Sequence, residues 1–260
     1  MEGAALRSKL WGIKTKKSQT STMPHQKELS ALRAALKSRI TPGKAETLQR
    51  FFKTGPGEYG EGDRFHGVVV PDQRKIARQF KTLALPAVEQ LLQSAFHEER
   101  LTALFILIHQ FEMGNLAVKK RIFQTYVRNM KYINNWDLVD SSAPHIIGTW
   151  LEQRDRSQLY EWAYSDDLWQ RRIAMLATFR YIKNGKFEDA LNIAGKLLDD
   201  SHDLIHKAVG WMLREIGKRD LPREIQFLDR HAATMPRTML RYAIEKLPES
   251  QRQTYLKLKL

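Results

Sequence analysis

Trp136 and Asp140 stand four residues apart, the spacing that puts two side chains on one face of a helix. Arg172 and Trp211 take equivalent stripe positions in two later helical stretches. Two indoles, one carboxylate and one guanidinium are an unusual mixture for an apolar stripe. A carboxylate held there can stabilise a developing positive charge or orient a water. Indole faces attract cations. From the residues alone a second reading stays open. Tryptophan in a helical protein is usually core, and an acid and an arginine one repeat apart often form a plain ion pair.

The elements that must position these four residues form a repeat. Helical stretches at Glu98–Leu107, Asn134–Ala143, Trp169–Phe179 and Leu204–Leu213 align on Ala103, Leu138, Ala174 and Val209, at spacings of 35, 36 and 35 residues. A period near 35 with a helix pair per unit is the mark of an α-solenoid, whose units each leave an apolar face for a neighbour to cover. No tetratricopeptide signature is present, so the expectation is an all-α, HEAT-like superhelix with a concave basic face. Before the repeat, Leu29, Leu32, Leu36 and Ile40 fall on one helix face. Pro42 is expected in the first turn of a second helix reaching about Lys53. Pro71 and Pro86 mark further helix starts. Residues 54–70 are expected to be a loop, with Gly67–Val70 the best strand candidate, and a short one. Residues 25–260 are expected to make one domain. Residues 1–24 are expected to be a basic tail, with Arg7, Lys9, Lys14, Lys16 and Lys17 against Glu2. That bias is shared with transit peptides, but Leu10 and Trp11 are the only neighbouring bulky apolar residues.

The segments Asn-Asn-Trp136-Asp-Leu-Val-Asp140, Leu-Trp-Gln-Arg-Arg172-Ile-Ala-Met and His206-Lys-Ala-Val-Gly-Trp211-Met-Leu-Arg-Glu closely resemble, in order and spacing, the AlkC/AlkD-type DNA alkylation-repair glycosylases. The resemblance covers most of residues 45–247. It implies a HEAT-like solenoid on duplex DNA that excises N3- and N7-alkylated purines without flipping the base. It implies that Asp140 is the catalytic carboxylate, that Trp136 and Trp211 contact backbone and sugar at the lesion, and that Arg172 helps position the DNA. A non-catalytic HEAT-like scaffold for nucleic acid or protein is the alternative. Against it, a carboxylate on a surface meant for phosphate would repel the backbone unless it had a task of its own.

Composition narrows the partners. The chain of 260 residues carries a formal net charge of +14 and a pI near 9.9, a surplus that suits a polyanion. Besides Arg172, the candidates for phosphate contacts are Arg171, Lys207, Arg214, Lys218, Arg219, Arg237 and Arg241. There is no cysteine, which excludes disulfides and thiolate metal sites. No stretch reaches the ~18 apolar residues of a membrane helix. His202 and His206 have a metal-compatible spacing but no evident third ligand, so no metal and no cofactor are expected. Gly55-Pro-Gly57-Glu-Tyr-Gly60 matches a dinucleotide fingerprint literally, yet it comes after a helix, contains Glu58 and is followed by Glu61, which a phosphate cradle would not want. The expected partner is duplex DNA with alkylated purines, bound by a monomer in the cytoplasm.

Overall fold

The computed structural model describes residues 24–258. The expected tail lies outside them except for Pro24, which opens α1 (Pro24–Lys37). Leu29, Leu32 and Leu36 bury the inner face of α1. Ile40 does not join them; the helix has ended by Lys37 and Ile40 is exposed. The next helix, α2 (Lys44–Phe51), starts later than its proline suggested. Gly43 is its N-cap at φ 70, so the chain turns through a left-handed residue and Pro42 stays ahead of the helix. α3 (Val70–Gln79) and α4 (Leu85–Leu92) carry Pro71 and Pro86 in their first turns, where a missing N–H is harmless.

The solenoid comes next. Its inner row is α5 (His97–Met113), α7 (Trp136–Ala143) with its continuation α8 (Thr149–Leu151), α10 (Leu168–Ala177) with α11 (Phe179–Lys183), α13 (Asp203–Gly217) and α15 (Arg237–Ala243). Each packs on the next, and the anchors Ala103, Leu138, Ala174 and Val209 are all fully buried between them. The outer row is α6 (Leu116–Arg128), α9 (Ser157–Ala163), α12 (Glu188–Lys196) and α14 (Leu221–His231), and α16 (Glu249–Lys257) ends the described chain. One hydrophobic core runs through the stack. Trp162 and Trp169 are buried in it, and Trp150 stacks on Phe123 across units at 5.5 Å between ring centroids.

Two crossings depend on glycine. A Cβ on Gly210 would collide with the Met239 carbonyl and Tyr242 Cβ, so its absence lets α13 and α15 touch. Gly148 does the same for the α7–α8 rod against Ala177 and Arg180. That rod contains a π turn, Pro144–Gly148. Pro144 has no N–H to give the carbonyl four residues back, which is that of Asp140, and the helix widens there.

Among the described residues no strand forms. Gly67–Val70 is not a strand: Gly67 takes a positive φ of 91, Val68 turns into the core and Val70 already begins α3. The segment is fixed by side chains instead. Glu98 accepts from the backbone N–H of His66, Gly67 and Val68 at 2.8–3.2 Å. A single bridge joins Arg64 and Phe96. No helix among the described residues is long and apolar enough to cross a membrane. His202 serves as the N-cap of α13, its ring accepting from Leu204 N.

Candidate active site

Each stripe residue is placed by a capped helix. Asn135, fully buried, caps α7 by accepting from Trp136 N at 2.9 Å. That starts the helix at Trp136 and brings Asp140 up one turn later. Asp167 caps α10 by accepting from Trp169 N and Gln170 N, and Arg172 lies within the first turn and a half. Such caps satisfy donors the helix itself cannot.

The four residues of the stripe line one open cleft of about 520 Å³, together with Phe51, Lys53, Tyr59, Leu204, Lys207, Arg214 and Tyr242. At its centre Arg172 grips Asp140 with two parallel bonds, Nε to Oδ1 at 2.8 Å and Nη2 to Oδ2 at 2.7 Å. Its remaining nitrogen donates to the Leu204 carbonyl. The guanidinium is nearly enclosed, at 5% side-chain exposure, whereas the carboxylate keeps 17%. Asp140 is therefore the member of the pair that a ligand can reach. Burial pushes its carboxyl above the usual carboxylate range; Arg172 pulls it back, and the neighbouring Asp137 adds to the rise. Asp140 also borders a second opening, lined by Arg74, Arg78, Phe105, His109, Glu112 and His145.

The two indoles line the same cleft. Trp136 stacks on Phe52 at 5.3 Å and meets Phe51 edge-on at 5.9 Å. Trp211 lies against Phe179 at 5.7 Å and points its Nε1 at Glu215. Both stay only partly buried.

The expected cations divide. Lys207 and Arg214 line the cleft, tethered by Asp203 and Glu245 respectively. Arg172 lines it too, but its donors are taken, so it faces Asp140 and Leu204 rather than solvent. Arg171 and Lys218 are not part of the lining. Arg171, one residue round the helix from Arg172, is turned to Asp200 and the Ser165 and Asp166 carbonyls. Lys218 is paired with Glu215 at 2.5 Å, as is Arg219 at 3.0 Å. Arg237 donates to the Leu256 and Leu258 carbonyls, and Arg241 is exposed outside the cleft.

Residues 51–70 supply what the stripe pattern missed: Phe51, Lys53 and Tyr59. The loop does not cradle phosphate. Its Gly55 and Gly57 N–H groups are occupied by its own Glu58 and Glu61, at 2.8 and 2.9 Å. A buried relay locks the loop to the helices instead. His97 bridges Asp63 and Asp137, both at 2.9 Å, and Arg100 also holds Asp63 at 2.6 Å. Burial opposes charge on His97, but Asp137 and Asp63 outweigh it and carry its pKa to about 9. The signal for this was present in the chain: the run His97-Glu-Glu-Arg100, fully polar yet buried at the start of an apolar helix.

Comparison with known proteins agrees with the helical-repeat fold. The family model described as DNA alkylation repair enzyme matches residues 32–247. No curated protein matches the chain in sequence. A solved structure described as a predicted DNA alkylation repair enzyme from Enterococcus faecalis is similar in fold, with TM-score 0.62 and 15% identity over 81% of this chain and 98% of that one. AlkD2 from Streptococcus mutans is similar with TM-score 0.51 and 18% identity, covering 86% and 99%. With its repeat, its cleft and a family match spanning nearly all the described residues, the chain belongs to the DNA alkylation repair enzyme family.

Proposed function

We propose that the chain is a DNA glycosylase that removes cationic N3- and N7-alkylated purines from duplex DNA by hydrolysing the N-glycosidic bond, without flipping the base. One observation carries this reading: a partly exposed carboxylate, fixed by a buried bidentate arginine, lines an open cleft together with two indoles. An alkylated purine of this kind already carries positive charge and needs no proton to leave. As the C1′–N bond breaks, the base departs with the bonding electrons as a neutral molecule and positive charge grows on the sugar. Asp140 is suited to stabilise that oxocarbenium-like state, as carboxylates do in sugar hydrolysis. Water then bonds to C1′, and its proton passes toward Asp140, whose raised pKa favours accepting it. Trp136 and Trp211 add cation–π attraction to the charged nucleotide, about 0.5–2 kcal/mol per contact. Arg172 acts through Asp140, holding its two oxygens in a fixed plane. Lys207 and Arg214 hold phosphates near the lesion.

An open cleft with no enclosed pocket suits chemistry on a base that stays in the stack, and restricts substrates to bases that are already good leaving groups. The Asp140–Arg172 pair is also what a non-catalytic solenoid could use to join two repeats, which is the rival reading. The two part in a release assay on methylated duplex DNA. The glycosylase reading expects free 3-methyladenine or 7-methylguanine. Salt-sensitive binding with no release would favour the scaffold.

A further inference from the structure

α2 is built unlike the other helices of the chain. None of its residues is buried, and it is held to the body through the residues just after its C-terminus, above all Phe52, which packs between Trp136 and Phe65 at 5.3 Å from each. Phe65 in turn stacks on the His97 imidazole at 4.7 Å. This aromatic column ends at the surface in Phe51, the last residue of α2. Phe51 touches Phe52 edge-on at 5.1 Å and Trp136 at 5.9 Å, and remains 61% exposed.

Single exposed hydrophobes need no explanation, but a contiguous apolar surface does. Phe51 and Tyr242 are both among the exposed large hydrophobics, and both line the cleft that holds Asp140. With Trp136 and Trp211 they make an aromatic face inside a basic cleft. Lys53, Lys207 and Arg214 line the same cleft as Phe51, and Arg50 precedes it in the chain. Glu58 and Glu61, the next acids, are turned back onto the loop's own amides, Glu58 also lying 3.9 Å from the Lys53 ammonium. An exposed aromatic in a cleft that also holds those three cations fits one partner on both counts. Phosphates satisfy the charge, and stacked bases satisfy the ring. Proteins that enter the minor groove use such apolar side chains as wedges between base steps, partly unstacking them.

We propose that Phe51 is a wedge that presses into the base stack of the bound duplex beside the lesion, with α2 as the arm that presents it. This rests on the reading of the cleft as the place where alkylated DNA binds. It gives the exposed ring a task distinct from that of Trp136 and Trp211: loosening the step next to the damaged nucleotide so that its sugar can approach Asp140 while the base remains in the helix.

The test is a duplex with 2-aminopurine next to an abasic analogue, read at saturating protein so that affinity does not enter. The native chain is expected to raise 2-aminopurine fluorescence several-fold. Phe51→Ala should lose most of that rise and Phe51→Trp should keep it, with thermal midpoints only slightly lowered because the ring is largely exposed and keeps just its edge contacts with Phe52 and Trp136. A full rise with Phe51→Ala, or its loss in both variants, would overturn the wedge. Release of methylated purine by the native chain is measured in parallel. If the native chain releases none, the glycosylase reading falls; if it does and Phe51→Ala keeps the full rise, only the wedge falls.

Discussion

Asp140 and Arg172 have to be understood as a unit. The arginine is buried and has given its nitrogens to one carboxylate and one carbonyl; the carboxylate keeps an open side. Removing the guanidinium leaves Asp140 with the burial and the Asp137 charge that already raise its pKa, and nothing to oppose them. Arg172→Ala is therefore expected to destabilise the fold by about 3 kcal/mol, the low end for breaking a buried pair, because the carboxylate is partly exposed. The acid limb of the pH–rate profile should also move to higher pH, since the ionised fraction of Asp140 falls at any given pH. Denaturant melts and a pH series on Arg172→Ala and Arg172→Lys read both effects. An unmoved acid limb would separate Arg172 from the chemistry.

At the scale of elements, the loop at 54–69 and the crossings of the inner row decide whether the cleft exists. The loop hangs on His97, whose pKa is about 9 in the fold against 6.5 for the free group. Because the folded pKa is the higher one, the stabilisation from His97 is fully present below about pH 6.5 and is lost as pH rises through about 9. His97→Gln should lower the thermal midpoint clearly at pH 6 and very little at pH 10. An equal loss at both would mean that the imidazolium is not what holds the loop. Gly210→Ala should cost about 1–3 kcal/mol, the usual range for overpacking, by forcing α13 from α15; Gly195→Ala, with open space around it, is the control for the same urea melt. The inner row was legible in the sequence because Ala103, Leu138, Ala174 and Val209 recur with the period of the stack. Prolines were legible where they enter a first turn, and misleading at Pro42, where Gly43 does the turning. The loop's anchors were not legible, because Glu98 and His97 act on residues some thirty positions away through contacts that no local period records.

For the whole molecule, the 43 lysines and arginines are spread widely and many of them pair with the 29 acids, leaving the surplus of +14. Arg171, Lys218 and Arg219 illustrate this: a basic residue next to the stripe in sequence can face its own acid rather than the cleft. That is why spacing identified the four cleft residues but not which neighbouring cations accompany them. Binding to duplex DNA should weaken steeply with salt, with a slope of about −0.9 per phosphate contacted. Lys207→Ala should lessen that slope by about 1 in a titration across salt concentrations, and Lys218→Ala should leave it unchanged. Equal effects from the two would relocate the DNA away from the cleft.

Base release by Asp140 is the step on which the proposed function rests. Its most direct test compares single-turnover release of 7-methylguanine from methylated duplex DNA by the native chain and by Asp140→Asn, at protein concentrations where both are shown to bind. Release by the native chain, with a loss of at least ~100-fold in the variant and binding retained, is the predicted result, in keeping with the usual weight of a charge-stabilising group. Undiminished release by Asp140→Asn would contradict it.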